Sequence, residues 1–256
     1  MNIAIGINIF GTCPRQQKCI EVLKKISLKY SNVKLYNIFY PNEKNLDEAF
    51  IPLPLLNEKA KDVIHNSNSQ KPIAKEFFDI LSKQNCEYFI FLNSDILLSP
   101  KFLNLVLEGE YETYCVSRHD THPIQSLENI VPYRIEIAGF DVWAIKKDWW
   151  SSNNIHFEKY IYAEHLWDVA FTLKMYNLSK CIILNKEFYA AHEKHDIKWS
   201  ETSPEAVYNS KLWEKNPLSI KWKQFIFENL IKREPYGQFL IPLENEKELE
   251  EKYLRL

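Results

Sequence analysis

Two short runs constrain this chain more than anything else in it. Ile3-Ala4-Ile5-Gly6-Ile7-Asn8-Ile9-Phe10 is rich in β-branched residues, and Tyr88-Phe89-Ile90-Phe91-Leu92 is apolar throughout. Neither shows the polar alternation of a strand with one wet face, so both read as strands buried on two sides. Val33 to Phe39 reads as a third strand. Helical patterns separate them. Pro14 opens a helix to about Tyr30, with Ile20, Leu23 and Ile26 on one stripe, and Pro72 stands at the start of another, where a missing N–H costs little. Ile73, Phe77, Ile80 and Leu81 give that second helix its apolar face, and a third helix follows Pro100 to about Leu107. Pro41 to Pro54 reads as a long loop. The order β-α-β-loop-α-β-α predicts an α/β fold, a mostly parallel open sheet flanked by helices.

The second half reads differently. Tyr114 to Val116 and Gly139 to Ile145 are strands around a polar loop, Ala163 to Tyr176 is helical, and Cys181 to Leu184 is a short strand leading to His192. Helices dominate from Ser200. With 256 residues, 46% of them hydrophobic, one main domain over 1–199 can bury its own core, and 200–256 reads as a helical C-terminal extension packed on it. The stretch Leu212 to Arg233 is amphipathic and basic; packing on the domain is the first reading and peripheral contact with an anionic membrane the second.

Several function classes drop out. A net charge of -2 argues against a nucleic-acid partner. The five cysteines form no CxxC pair, against both a disulfide framework and a zinc ribbon. With five glycines in the chain, only Gly6 and Gly11 lie near the first strand, and they make no GxGxxG loop. Their spacing imitates a P-loop but Thr12 stands where the lysine belongs, so Asn8, Phe10 and Thr12 read instead as contacts to a nucleotide base or ribose. No signal peptide and no apolar run of about 18 residues is read, so the expected location is cytoplasmic.

The sharpest chemical feature is Asn93-Ser94-Asp95. An apolar strand delivers a carboxylate to its C-terminal end, where open α/β sheets bind ligands, and hard oxygen donors suit Mg²⁺ or Mn²⁺. The same three residues also suit a plain turn. With this motif, the chain resembles a GT-A-fold glycosyltransferase of the broad family 2-like type, from the first strand to about Trp199. There a strand ends in a DxD motif that binds metal and sugar nucleotide. Asn93-Ser94-Asp95 is similar to it, with the first acid replaced by an amide.

The resemblance implies the rest of a site. Asp95 would hold the cation, with His192 or His195 from Ala190-Ala191-His192-Glu193-Lys194-His195-Asp196 completing the shell; His192 is the first choice. Asn93 and Ser94 would touch the nucleotide. Asp141, in Gly139-Phe140-Asp141-Val142-Trp143, would accept from sugar hydroxyls, with Trp143 facing a sugar ring. Arg118, His119 and Asp120 would line the cleft. Lys71, at a helix N-terminus, would meet ribose or phosphate. An inverting transfer needs a carboxylate base, and Asp168 is the first choice with Glu164 second, the two lying four apart on one face of a helix start.

The implied activity is metal-dependent transfer of a sugar from a nucleotide-diphosphate sugar, UDP-linked by preference. The implied acceptor is the hydroxyl of a glycan or lipid-linked glycan in bacterial surface-glycan synthesis. Two rivals stand beside it: an inactive sugar-nucleotide-binding module, favoured by Asn93, and a sugar-1-phosphate nucleotidyltransferase, disfavoured by the missing Pro-Lys ending of its first loop.

Overall fold

A computed structural model describes residues 1–127, 130–184, 187–195 and 200–219, together with the backbone of 240–242; of 134–138 too only the backbone is described. The elements follow in order: β1 (Ile3–Ile7), α1 (Pro14–Lys29), β2 (Val33–Ile38), β3 (Ile51–Leu53), α2 (Ala60–Val63), α3 (Ala74–Ser82), β4 (Tyr88–Leu92), β5 (Ile96–Leu98) and α4 (Pro100–Glu108). Then come β6 (Thr113–Thr121), β7 (Pro132–Lys146), α5 (Lys147–Asn153), α6 (Trp167–Leu178), β8 (Cys181–Leu184), β9 (Ala190–Glu193), α7 (Pro204–Lys215) and β10 (Leu240–Pro242).

The sheet runs β3-β2-β1-β4-β7-β6-β9-β5, with β8 on β6 and β10 on β7. Its first half is parallel: β1 pairs with β2 and β4, and β2 with β3. β7 then runs antiparallel to both β4 and β6, and β5 antiparallel to β9. The α/β alternation thus predicts the parallel half. The reversal at β7 is a long-range pairing that no local pattern encodes.

Strand β4 explains the two-layer core. Phe89 and Phe91 point into an aromatic cluster with Phe77, Phe78, Trp143, Trp150 and Phe171, packed under α3, α5 and α6. Tyr88, Ile90 and Leu92 point the other way, into an aliphatic cluster with residues of α1 and α4. This is the period-2 alternation of a strand covered on both faces. Trp143 is fully buried, stacked near Phe91 and donating its Nε1–H to Thr172 (3.0 Å), so it is a core residue and faces no sugar. It shares a face with Asp141 but lies two residues deeper, under α6.

Several boundaries differ from expectation. β1 stops at Ile7 because side chains take over from the ladder: Asn8 donates to the Ile38 carbonyl (2.6 Å) and Ile9 N–H donates to Asn37 (2.9 Å). The 41–54 loop contains β3, a three-residue edge strand. Pro72 does not start α3; it lies two residues before, bridged to Lys59. α6 starts at Trp167 rather than Ala163, because Ala163 and Leu166 take positive φ (57° and 72°), which breaks a helix. Within the expected C-terminal extension, Trp213 of α7 enters the aromatic core. Most of the amphipathic stretch to Arg233, as well as Asp196 and Trp199, lies outside the described residues.

Gly6 makes a strong packing prediction. A Cβ there would stand 2.6 and 2.7 Å from the methyls of Leu81, itself fully buried in α3. Gly6→Ala is expected to cost about 1–3 kcal/mol by overpacking. Urea denaturation checks this, and adding Leu81→Ala should cost less than the two changes summed, because they share one space.

Candidate functional site

The site is built at the C-terminal end of β4. Asn93 N–H bonds the Asp141 carbonyl (3.0 Å), extending the β4–β7 ladder, and Ile96 N–H closes a turn on the Asn93 carbonyl (3.1 Å). That turn pushes the Asp95 side chain out of the sheet, leaving it partly exposed. The chain then enters β5, where Ile96 sits opposite His192 of β9. Tight local geometry on one side and a short strand pairing between residues 96 positions apart on the other therefore bring Asp95 beside His192.

The cluster has three members. Asp95 Oδ2 lies 3.6 Å from His192 Nε2 and 3.3 Å from His195 Nε2. One ligand atom from each lies within 4.8 Å of the others, close enough to share one ion. Burial alone would raise the Asp95 carboxyl, but the two imidazoles outweigh it and hold the group well below the usual carboxylate range.

Asp120 sets the ring of His192. The two residues are paired in register between β6 and β9, and Asp120 Oδ1 lies 2.9 Å from His192 Nδ1. A fully buried carboxylate there accepts from Nδ1–H, which leaves Nε2, on the Asp95 side, as the ring nitrogen available to a cation. Burial disfavours the imidazolium, yet Asp120 and Asp95 raise the His192 pKa above its ordinary value. Two imidazole nitrogens and one carboxylate suit Mn²⁺ or another transition ion better than Mg²⁺, and the donor set fits such an ion. Asp120→Asn, which removes the negative charge behind the ring and lowers its basicity, is expected to weaken metal affinity about 10- to 100-fold, measurable by calorimetric Mn²⁺ titration.

Beside the cluster runs a second chain of bonds. Arg118 reaches Asp120 (3.2 Å) with Nε and Asp141 (2.7 Å) with Nη1. The other oxygen of Asp141 accepts from Asn93 Nδ2, and Asn93 Oδ1 accepts from Tyr162 OH (2.9 Å). Asn93 thus donates on one side and accepts on the other, and an ionised carboxylate, which only accepts, would face Asp141 with a like charge. The amide has a structural reason independent of metal binding. Arg118 and Asp120 lie within β6, two apart and on one face; His119 points to the other, toward Phe188.

The two predicted bases part company. Asp168 sits in the first turn of α6 and its Oδ2 accepts from Phe140 N–H (2.9 Å). Burial, with Asp141 nearby, outweighs that bond and pushes its pKa up to about 7. Glu164 lies outside the helix, in the turn before it, so the shared helical face is corrected. Its buried carboxylate pairs with Lys71, which stands before α3 rather than at its N-terminus. Asn209 of α7, fully buried, holds this turn by bonding Ile161 N–H (2.8 Å), Ile161 carbonyl (3.0 Å) and His165 carbonyl (3.1 Å).

The loop after β1 closes the other side. Ser94 is buried and accepts from Gln16 Nε2 (2.8 Å), which ties α1 to the turn that carries Asp95. Asn8 is spent on the Ile38 carbonyl, whereas Phe10, 69% exposed, and Thr12 stand open to solvent. Gln16, Tyr162 and Asn209 escape sequence reading, since amides and phenols in amphipathic segments carry no spacing signal.

No protein-family model matches the chain, and no curated protein matches it. Among solved structures it is similar to residues 1–349 of TarS from S. aureus in complex with UDP-GlcNAc. The TM-score is 0.57 at 13% identity, over 90% of this chain and 72% of that one. The uncomplexed form of the same fragment gives 0.53 at 15% identity, over 90% and 71%. The UDP complex gives 0.53 at 12%, over the same shares. At such identities the likeness shows the fold, which is GT-A-like.

Proposed function

From this GT-A-like fold we propose that the protein is a metal-dependent glycosyltransferase, moving a sugar from a nucleotide-diphosphate sugar to an acceptor hydroxyl. The observation that carries the reading is the Asp95–His192–His195 cluster, its ring oriented by Asp120, at the end of a central parallel strand. Open α/β sheets take their ligands at this rim. A divalent cation held by these three side chains would offset charge developing on a diphosphate leaving group. His195 joins His192 as a ligand in this reading.

The remaining residues divide the work. Phe10 and Thr12, with the backbone near Asn8, would meet base and ribose; Ser94 and Asn93 position the turn. Asp141 and Arg118 neutralise one another at the place where donor-sugar hydroxyls would lie. Lys71 serves the donor side only through Glu164, which positions the turn before α6. Asp168, poised near neutral pH, would take the acceptor proton, which favours inversion. UDP-linked donors come first because the similar TarS fragment was crystallised with UDP-GlcNAc. A glycan or lipid-linked acceptor in surface-glycan synthesis, and a cytoplasmic setting with peripheral membrane contact, belong to the same reading. No helix among the described residues is long and apolar enough to cross a membrane.

The test is a thermal-shift screen of UDP, GDP, CDP and dTDP with and without Mn²⁺, followed by transfer assays starting from UDP-GlcNAc. At 100 times Kd a bound donor adds about 2.7 kcal/mol, or roughly 5–10 °C in midpoint for a chain of this size. One nucleotide should give that rise, and only with metal present. A flat response to all four overturns the reading.

A further inference from the structure

Beneath α6, sulfur atoms from three different elements converge away from the Asp95 cluster's own side chains. Cys115 Sγ of β6 lies 3.9 Å from Cys181 Sγ of β8 and 3.8 Å from Met175 Sδ of α6. Cys115 and Met175 are fully buried, while Cys181 is partly open to solvent. The transfer proposed above uses none of these groups.

We propose that Cys115, Cys181 and Met175 form a three-coordinate site for a soft monovalent metal ion, Cu(I) by preference. Two thiolates and a thioether are the donor set that selects Cu(I) over hard cations. A metal–sulfur bond of about 2.3 Å in a trigonal plane separates the sulfurs by about 4.0 Å. The two edges that meet at Cys115, 3.9 and 3.8 Å, have that length. A disulfide would need the sulfurs about 2 Å apart. The register opposes it, since Cys115 stands opposite Ile183 and Cys181 opposite Thr113, two residues away along the strands. Tetrahedral zinc would need a fourth strong donor. Binding displaces two thiol protons, so affinity rises with pH, and Cys181 provides the entry.

The test does not depend on the transferase reading. Full-length protein, reduced and kept anaerobic, is titrated with Cu(I) against bicinchoninate. One equivalent should bind, with a near-ultraviolet sulfur-to-copper band and a sulfur-only shell at about 2.3 Å by X-ray absorption. Cys181→Ser and Cys115→Ser should each weaken binding by roughly 100-fold or more, as expected when a soft ligand becomes a hard one. Met175→Leu keeps core volume and should weaken it about tenfold with the fold intact. His192→Ala should leave the copper affinity and the sulfur-to-copper band unchanged. The proposal is overturned if folded wild-type protein takes no copper from the competitor. It is equally overturned if the band survives in Cys181→Ser or disappears in His192→Ala.

Discussion

Replacing Asp95 by alanine is expected to lower kcat/KM for sugar transfer by roughly 10²–10⁴, the loss of about 3–5 kcal/mol of charge stabilisation at the leaving group. The expectation rests on geometry: Asp95 Oδ2 is the point on which both His192 and His195 converge. Without it, two imidazoles remain and the site loses its anionic donor. The fold should survive, because Asp95 is partly exposed and His192 keeps its bond to Asp120. Two measurements check this: steady-state transfer across a Mn²⁺ series, and calorimetric Mn²⁺ binding. The metal enhancement of nucleotide binding should vanish with the activity. Transfer that persists at the wild-type rate and metal dependence would place the catalytic centre elsewhere.

Asp168→Asn is expected to move activity and stability in opposite directions. The folded pKa of Asp168 is about 7, raised first by burial; an unfolded aspartate titrates near 4. Between those values the native state holds the proton more tightly than the unfolded state. Stability therefore falls as pH rises from about 4 to about 7, and the full cost is present above that. Asparagine can still accept from Phe140 N–H but never ionises. At pH 8 the variant should be more stable than the parent by on the order of 1–3 kcal/mol, reduced from the full pKa difference by solvent screening. At pH 4 the gain should be gone. Transfer should drop about 10²–10⁴-fold, and the parent rate should rise with pH through about 7 as the base ionises. Chemical denaturation at the two pH values and a pH–rate profile check both halves. Unchanged transfer by the variant would remove Asp168 from the base role while leaving the stability prediction to stand or fall by itself.

Particular residues mark how far sequence reasoning reaches. β4 and its exit at Asn93-Ser94-Asp95 are readable because a doubly buried strand must be apolar throughout and a chain leaving it needs turn formers. The α1 and α3 stripes are readable because helix burial repeats every three to four residues. Sequence ranks Asp168 above Glu164 but places both on one face of a helix start. Positive φ at Leu166, between them, and at Ala163, just before Glu164, leaves Asp168 in the helix and Glu164 in an ion pair with Lys71.

What the residues alone determine is the parallel half of the sheet, its helical flanks and the carboxylate delivered to the rim. These follow from periodicity and turn chemistry, which act between neighbours a few positions apart. What only the tertiary structure decides is which groups meet that carboxylate. The β5–β9 and β6–β9 pairings carry His192 to Asp95 and Asp120 to His192, across 97 and 72 positions of chain. Register between distant strands is selected by the packing of the whole core, so no local window of sequence contains it.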